Sequence, residues 1–550
     1  MWWNLRPGAA ATALALLWLA PTLPAAESQS EQQSLEELRN TVVNLLQALV
    51  EKGLLSREQA QVLVKQAQDK AAADAARNAQ AAKEEENAVR VPYVPQIIKD
   101  EISKQVAEEV KPQVVQSVVA EAKSEKWGVP AALPEWLSRV QPFGDVTFRS
   151  QADMYAKDNT PNAILDFNGI NAAGGIGKDS FPFLNTTENR DRFRLRARLG
   201  LDAQLSPNFT SEIRLSSGSL TDPSSESQTE GTYGQRYSIA LDRAYIRFNS
   251  SPPGELSAVT AEGGRFENPW FSPTELVYAR DLQFEGAAAA LRWGFGSGGA
   301  DQSQVFATFG AIPVLEVPTE ISENKWLLGA QLGAGLRWAD GEQHLQFAGG
   351  YYDFVHVTGV RNTPDSTLTN VTAPAFIRFG NTVFDIANST IPDSGVNLFA
   401  LAAHFRLIDV AATYELAFPR YSLAVAAEAV RNIGYNLADV EALAQPLQPI
   451  PSPQNRGYVA DISFGDPIVQ RRWAWRARAG YRYVQSDAVI DAWTDADFHE
   501  GGTNAAGYYL WGDLGLAKNV WLRVRYFSGN EITGPRYGVD IVQIDMNTRF

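Results

Sequence analysis

The stretch Arg190–Gly200, RDRFRLRARLG, alternates strictly from Arg192 onward. Arg192, Arg194, Arg196 and Arg198 share one parity. Phe193, Leu195, Ala197 and Leu199 share the other, continued by Leu201. A period of two belongs to a β-strand, whose successive side chains point to opposite faces. One face here carries four guanidinium groups and the other is wholly apolar. In a soluble sheet the polar face meets water and the apolar face meets a core. Taken alone, the stretch also reads as a basic ribbon for RNA. Which medium each face meets decides the fold.

The neighbouring segments answer this. KWLLGAQLGAGLRWA (325–339) has Trp326, Leu328, Ala330, Leu332, Ala334, Leu336 and Trp338 on one face. An apolar stripe with an indole at each end suits a strand crossing a bilayer, with rings at both headgroup levels. RRWAWRARAGYRYV (471–484) repeats the pattern, with Trp473, Trp475, Ala477, Ala479, Tyr481 and Tyr483 opposite Arg472, Arg476, Arg478 and Arg482. The last strand ends the chain in Phe550, with Thr548, Met546, Ile544 and Val542 on its parity. A terminal aromatic on an alternating strand resembles the C-terminal signature of Gram-negative outer-membrane barrels. That resemblance implies that Phe550 is read by the barrel-assembly machinery.

The start of the chain fits an envelope protein. One arginine, an apolar run broken by Pro21 and Pro24, and small residues up to Ala25–Ala26 form the layout of a secretory signal peptide, residues 1–26. Residues 27–126 read as helix. Ser34 and Glu37 form a capping box before an a/d seam of Leu35, Leu38, Val42, Leu45 and Leu49, a candidate coiled coil. A Pro- and Gly-containing linker (127–142) follows, and from Phe143 to Phe550 period-two segments succeed one another. The connections 156–189, 219–236, 267–280, 357–394 and 432–455 are long, while others are tight turns. This predicts an all-β, up-and-down antiparallel transmembrane barrel with an N-terminal α-helical, coiled-coil periplasmic extension. Both chain ends in the periplasm require an even strand number. Sixteen strands follow if GVNLFALAAHFRL and DVAATYELA form one bulged strand, and eighteen if PAFIRFGNTVFDI (374–386) adds another.

Composition narrows the function. The 550 residues include no cysteine and carry a net charge of -15, which excludes disulfides and thiolate chemistry and argues against nucleic acid as partner. The four histidines, His344, His356, His404 and His499, belong to no nucleophile motif, so no enzyme, metal or cofactor is expected. DADFHEGG (495–502) reads as an acidic surface loop.

At LPEWLSRVQPFGDVTFRSQADMY (133–155) the chain resembles the entry to the barrel in the bacterial "putative porin" family. Gly144 and Asp145 precede an arginine-bearing strand, here with one arginine fewer than that family's pattern. LDRAYIRF (241–248), GGRFENPWF (263–271) and DADFHEGGTNAAGYYL (495–510) also look like that family. The resemblance covers about 130–550 and implies an outer-membrane channel without naming a solute.

A sixteen-strand barrel has a wet interior, where charge is tolerated. On the facing rule the pore-lining set is Arg192, Arg194, Arg196, Arg198, Arg214, Arg243, Arg247, Arg472, Arg476, Arg478, Arg482, Arg523 and Arg525, with Glu212 and Tyr245 beside them. This arginine excess predicts passive diffusion of small hydrophilic solutes with a preference for anions. Glu267, Glu275, Asp281 and Glu285, on loop 267–280 and its borders, are the candidate constriction carboxylates. The expected partners are outer-membrane lipid, the assembly machinery and two further copies in a homotrimer. The alternative function is an envelope tether, with 27–126 binding peptidoglycan or a partner.

Overall fold

The structure, a computed structural model, describes residues 139–550 except 178–181, 251–255, 297–301, 318–322, 389–395, 445–449 and 451. The expected signal peptide, helical segment and most of the linker lie outside the described residues.

Sixteen long strands follow one another along the chain. They begin with β1 (Val140–Tyr155), β2 (Arg190–Ser206), β3 (Phe209–Ser217) and β4 (Ile239–Ser250). Next come β5 (Leu256–Glu267), β6 (Gln283–Phe295), β7 (Ser303–Leu315) and β8 (Lys325–Trp338). β9 (Gln343–Val355), β10 (Phe405–Ala417), β11 (Ser422–Asn432) and β12 (Arg456–Gly465) continue the order. It ends with β13 (Trp475–Val484), β14 (Ala505–Ala517), β15 (Val520–Glu531) and β16 (Gly538–Arg549). Each pairs antiparallel with its neighbours in sequence. β1 pairs with β2 on one side and with β16 on the other, so the sheet closes on itself. Closure leaves no unpaired edge, which is the condition for a sheet to stand in hydrocarbon.

Strand boundaries differ from the sequence reading in three places. β1 begins at Val140, inside the expected linker. The stretch 374–386 contributes no barrel strand; Val383–Asp385 instead pairs with Phe399–Leu401 inside a long loop. Only the later part of 395–417, from Phe405, enters the barrel, because the preceding residues pair with Val383–Asp385 and with Ile176–Gly177 of the connection 156–189 rather than with β9. Sixteen is therefore the count, and eighteen is excluded.

Both ends of the described barrel lie at the end of the short turns, such as 207–208, 339–342, 418–421 and 518–519. The opposite end carries the long connections 156–189, 218–238, 268–282, 356–404, 433–455 and 485–504. The outer face is the apolar parity. Phe148 and Phe193 stack there with centroids 5.5 Å apart, and Leu199, Ile213, Ile246, Val410 and Ile462 are exposed. On β8, Trp326 and Trp338 mark the two ends of an exposed stripe, with Leu332 between them 67% exposed. Such a belt is the outward face that a barrel needs to meet hydrocarbon.

Leu332→Arg therefore places a charge near the middle of that belt. It lowers stability by about 2–4 kcal/mol in urea unfolding of the vesicle-inserted protein. A neutral effect would contradict a lipid-facing stripe.

Candidate functional site

The inner face begins with the β2 arginines, and each is met by named groups. Arg192 Nη2 lies 2.9 Å from Asp153 of β1. Arg196 lies 3.4 Å from Asp145 and 3.2 Å from Asp281, and Arg198 lies 2.8 Å from Asp145 and 3.2 Å from Glu226. Arg194 is held differently, by Ser225 Oγ and the Ser227 carbonyl. Asp145 and Asp153 project inward because β1 alternates in register with β2. Four adjacent cations repel one another at low dielectric; interleaved carboxylates offset that repulsion.

The same pattern runs round the wall. Arg214 bonds Asp242 and lies 3.1 Å from Glu226. Arg243 reaches Glu267 at 3.0 Å and Arg247 reaches Glu262 at 2.7 Å. Arg478 lies 3.6 Å from Asp461, and Arg523 lies 2.6 Å from Asp513. The indole of Trp511 lies under both guanidinium groups, at 4.4 Å from Arg478 and 5.5 Å from Arg523. Arg476 donates to the Asp466 carbonyl near the turn 466–474. Arg472 falls within that turn rather than on β13, stacked over Trp473 at 5.2 Å. It is not on the inner strand face, because the pairing of β13 with β14 starts only at Trp475.

The connection 268–282 turns inward and crosses the barrel interior. Phe271 N–H donates to Gln331 Oε1 (2.7 Å) on β8, and Gln331 Nε2 donates back to the Phe271 carbonyl (2.9 Å). Thr274 donates from both its N–H and its hydroxyl to Glu428 on β11. Arg482 on β13 donates to the Glu275 carbonyl at 2.9 Å. Asp281 returns the loop to Arg196 and Arg198 on β2. Trp270 seats the loop on the opposite wall. A Cβ on Gly310 or Gly329 would stand 2.6 or 2.3 Å from its ring, so only glycine fits beneath it. Tyr278, Phe284 and Tyr352 surround the same indole.

Of the four carboxylates expected at a constriction, Glu275 and Asp281 ride on this loop. Glu275 pairs with Arg280 at 3.4 Å. Burial raises the Glu275 carboxyl above its usual range, Arg280 opposes this, and Asp495 adds to it. Asp281 is held below the usual carboxylate range: burial acts against ionisation, but Arg196, Arg198 and Arg280 outweigh it. Glu267 ends β5 and turns inward to Arg243. Glu285 is not part of the loop's charge set. Its neighbour Phe284 packs under Trp270, so Glu285 faces the other way, paired with Arg265.

A second loop enters the barrel, and the sequence reading missed it. DADFHEGG is not a surface loop: Phe498 and His499 are buried. Asp497 lies 2.8 Å from both Arg149 and Arg525 and accepts from Gln543 Nε2 at 2.9 Å. Burial would raise its carboxyl, but Arg149, Arg525 and Arg194 hold it well below the usual range. His499 Nε2 lies 2.9 Å from the Tyr537 carbonyl, and burial lowers the imidazole to about 4. It is therefore neutral at pH 7. Asp545, which shares Arg149 and Arg525, was visible by parity alone; Asp497 was not, since nothing in its local sequence says that the loop folds inward.

A closed barrel of sixteen antiparallel strands, apolar outside and charged inside, defines an outer-membrane channel of the porin type. A family described as "Putative porin" matches residues 39–550, and the chain belongs to that family. Among solved structures, the chain is similar to the outer membrane channel DcaP of Acinetobacter baumannii, at 13% identity over 75% of this chain and 97% of that one, TM-score 0.36. It is also similar to Pseudomonas putida OprB at high pH, at 11% identity over 76% and 96%, TM-score 0.41. Salmonella typhi OmpF in complex with daunomycin gives 10% identity over 75% and 97%, TM-score 0.37. No curated protein matches.

The loop anchors are separable from the barrel ladder. Replacing Gln331 and Glu428 together by leucine removes hydrogen bonds worth about 1–3 kcal/mol each. The expected result is a larger and noisier single-channel conductance, with the heat-modifiable gel mobility of the folded barrel kept. Unchanged conductance would mean that loop 268–282 does not limit flow.

Proposed function

We propose that the protein is a narrow, water-filled channel for passive diffusion of small hydrophilic solutes, with a modest preference for anions. The observation that carries the reading is the crossing loop. It holds Glu275 and Asp281 inside a wall whose arginines stand on β2 and β13. Opposed columns of fixed charge across a constriction create a transverse field, which orders water and dipolar solutes as they pass. The wall arginines are the pore-lining residues of this proposal, and their pairing with carboxylates keeps the preference modest.

One titrating group gives the preference a pH dependence. Glu226 lies in the connection 218–238, beside Arg198 and Arg214. Burial, with Asp281 and Asp242 nearby, pushes its carboxyl up to about 8 against those arginines. Below that value the Glu226 cluster keeps a proton and the interior carries one negative charge fewer. Above it, the charge appears and anion preference falls.

The proposal extends to partners. The apolar belt is read as facing outer-membrane lipid, and Phe550 as the signal to the assembly machinery. The functional unit is read as a homotrimer, reinforced by residues 27–126 as a periplasmic coiled coil. That segment is also where an envelope tether would bind peptidoglycan.

Planar-bilayer recording in a salt gradient tests the channel. The expected reversal potential is anion-selective at pH 6 and shifts toward cations as pH rises through about 8. Glu226→Gln should flatten that shift. A cation-selective potential at pH 6 would contradict the anion reading, and no conductance at all would favour the tether. Deleting 27–126 is expected to weaken the trimer in native mass measurements; an unchanged trimer would remove the coiled coil from the account.

A further inference from the structure

Arg194 stands apart from its column. Arg192, Arg196 and Arg198 each have a carboxylate at ion-pair distance. Arg194 has only neutral acceptors, Ser225 Oγ at 3.2 Å and the Ser227 carbonyl at 3.1 Å, on one nitrogen. Its Nε–H is buried without a partner among the described residues, as are those of Arg192 and Arg196, but those two have a carboxylate to offset their charge. A half-buried cation with an unsatisfied donor and no facing carboxylate is a site of high energy unless an anion completes it.

Arg194 borders a cavity of about 260 Å³ on the long-loop side of the barrel. Loop 356–404 supplies Phe376, Ile377 and Phe379 to its wall, and Tyr537 adds a further ring. The other charged groups of the cavity are already committed. Arg192 is bound to Asp153, and Arg378 to Asp222 and Ser224. Asp497 sits between Arg149 and Arg525. Glu500 accepts the hydroxyls of Tyr155 and Tyr537, and Asp166 accepts the Gly169 N–H. Asp166 is likewise held by a neutral group, and Glu500 has Arg192 4.0 Å away, but of the three guanidinium groups lining the cavity only Arg194 has no carboxylate at ion-pair distance among the described residues. The volume lies just below the range of drug-sized pockets.

We infer that this cavity is a binding site for a small, ring-bearing organic monocarboxylate, held by its carboxylate on Arg194 and by its ring against Phe376, Ile377 and Phe379. The inference rests on the channel reading above and names a solute class for it. Capture at this point, on the way to the loop 268–282, raises the local concentration of such acids at the constriction. A dianion fits less well, since its second charge would meet no free cation.

Calorimetric titration of the detergent-solubilised full-length protein with sodium benzoate tests the site. The expected result is saturable binding at one site, with benzamide, the neutral isostere, giving none. Arg194→Gln should weaken benzoate by about tenfold or more, and Arg194→Lys should keep part of the affinity. Should Arg194→Gln fail to fold, Phe379→Ala is the second variant and should weaken benzoate through lost ring contact. Equal binding of benzamide, or no saturable heat with benzoate, overturns the site. So does an Arg194→Gln protein that binds as well as the parent. Potassium chloride conductance in a protein that ignores benzoate would leave the channel standing and remove only this site. Benzoate binding without conductance would do the reverse.

Discussion

A chain that crosses hydrocarbon must satisfy every backbone N–H and C=O within itself, and here that requirement is completed by the ladder between β1 and β16. It joins Asp145 to Arg549 and Tyr155 to Val539, with all the positions between them in register. Beyond the last strand residue, Phe550 and Gly144 exchange both backbone hydrogen bonds, at 3.0 and 3.1 Å. A side chain at Gly144 would collide with the Phe550 ring. The inner and outer faces have separate media only because this seam is shut.

Once the faces are separated, two different stabilities operate. Outside, apolar side chains need only lipid. Inside, the wall carries guanidinium and carboxylate groups close enough to require pairing, and the loops supply part of that pairing. Glu226, Asp281 and Asp497 come from three different connections, yet each meets arginines on strands, Asp281 and Asp497 as carboxylates and Glu226 as one once it loses its proton at about 8. The inward loops are therefore not lids laid over a finished pore. They complete the charge balance of its wall.

The barrel was legible because its signal is local. Alternation places a residue on a face without reference to distant chain, and the inward arginines of β2, β13 and β15 follow from parity alone. An even strand number was legible through the shared side of the two chain ends, while the choice of sixteen over eighteen needed the loop pairing of Val383–Asp385 with Phe399–Leu401. Loop behaviour is another matter. Asp497 touches Arg149 across 348 residues of sequence, and no local pattern encodes such a contact. The same limit explains part of the arginine excess expected from sequence, since Glu226, Asp281 and Asp497 arrive from loops; Asp145, Asp153, Asp513 and Asp545 lie on strands, where parity places them inward beside the arginines. Arg472 was misplaced for a simpler reason: period two continued by chance through a turn.

The Asp497 cluster has a consequence for the order of events in assembly. Its arginines come from β1 and β15, and Gln543 from β16, so the first and last strands must already be neighbours before the loop finds all its partners. Long-range pairings of this kind form late, because bringing distant chain together is entropically slow. In an open intermediate Asp497 lacks the cation from β1 and has less to hold it inside. The seated loop is thus an internal record that the cylinder has been completed.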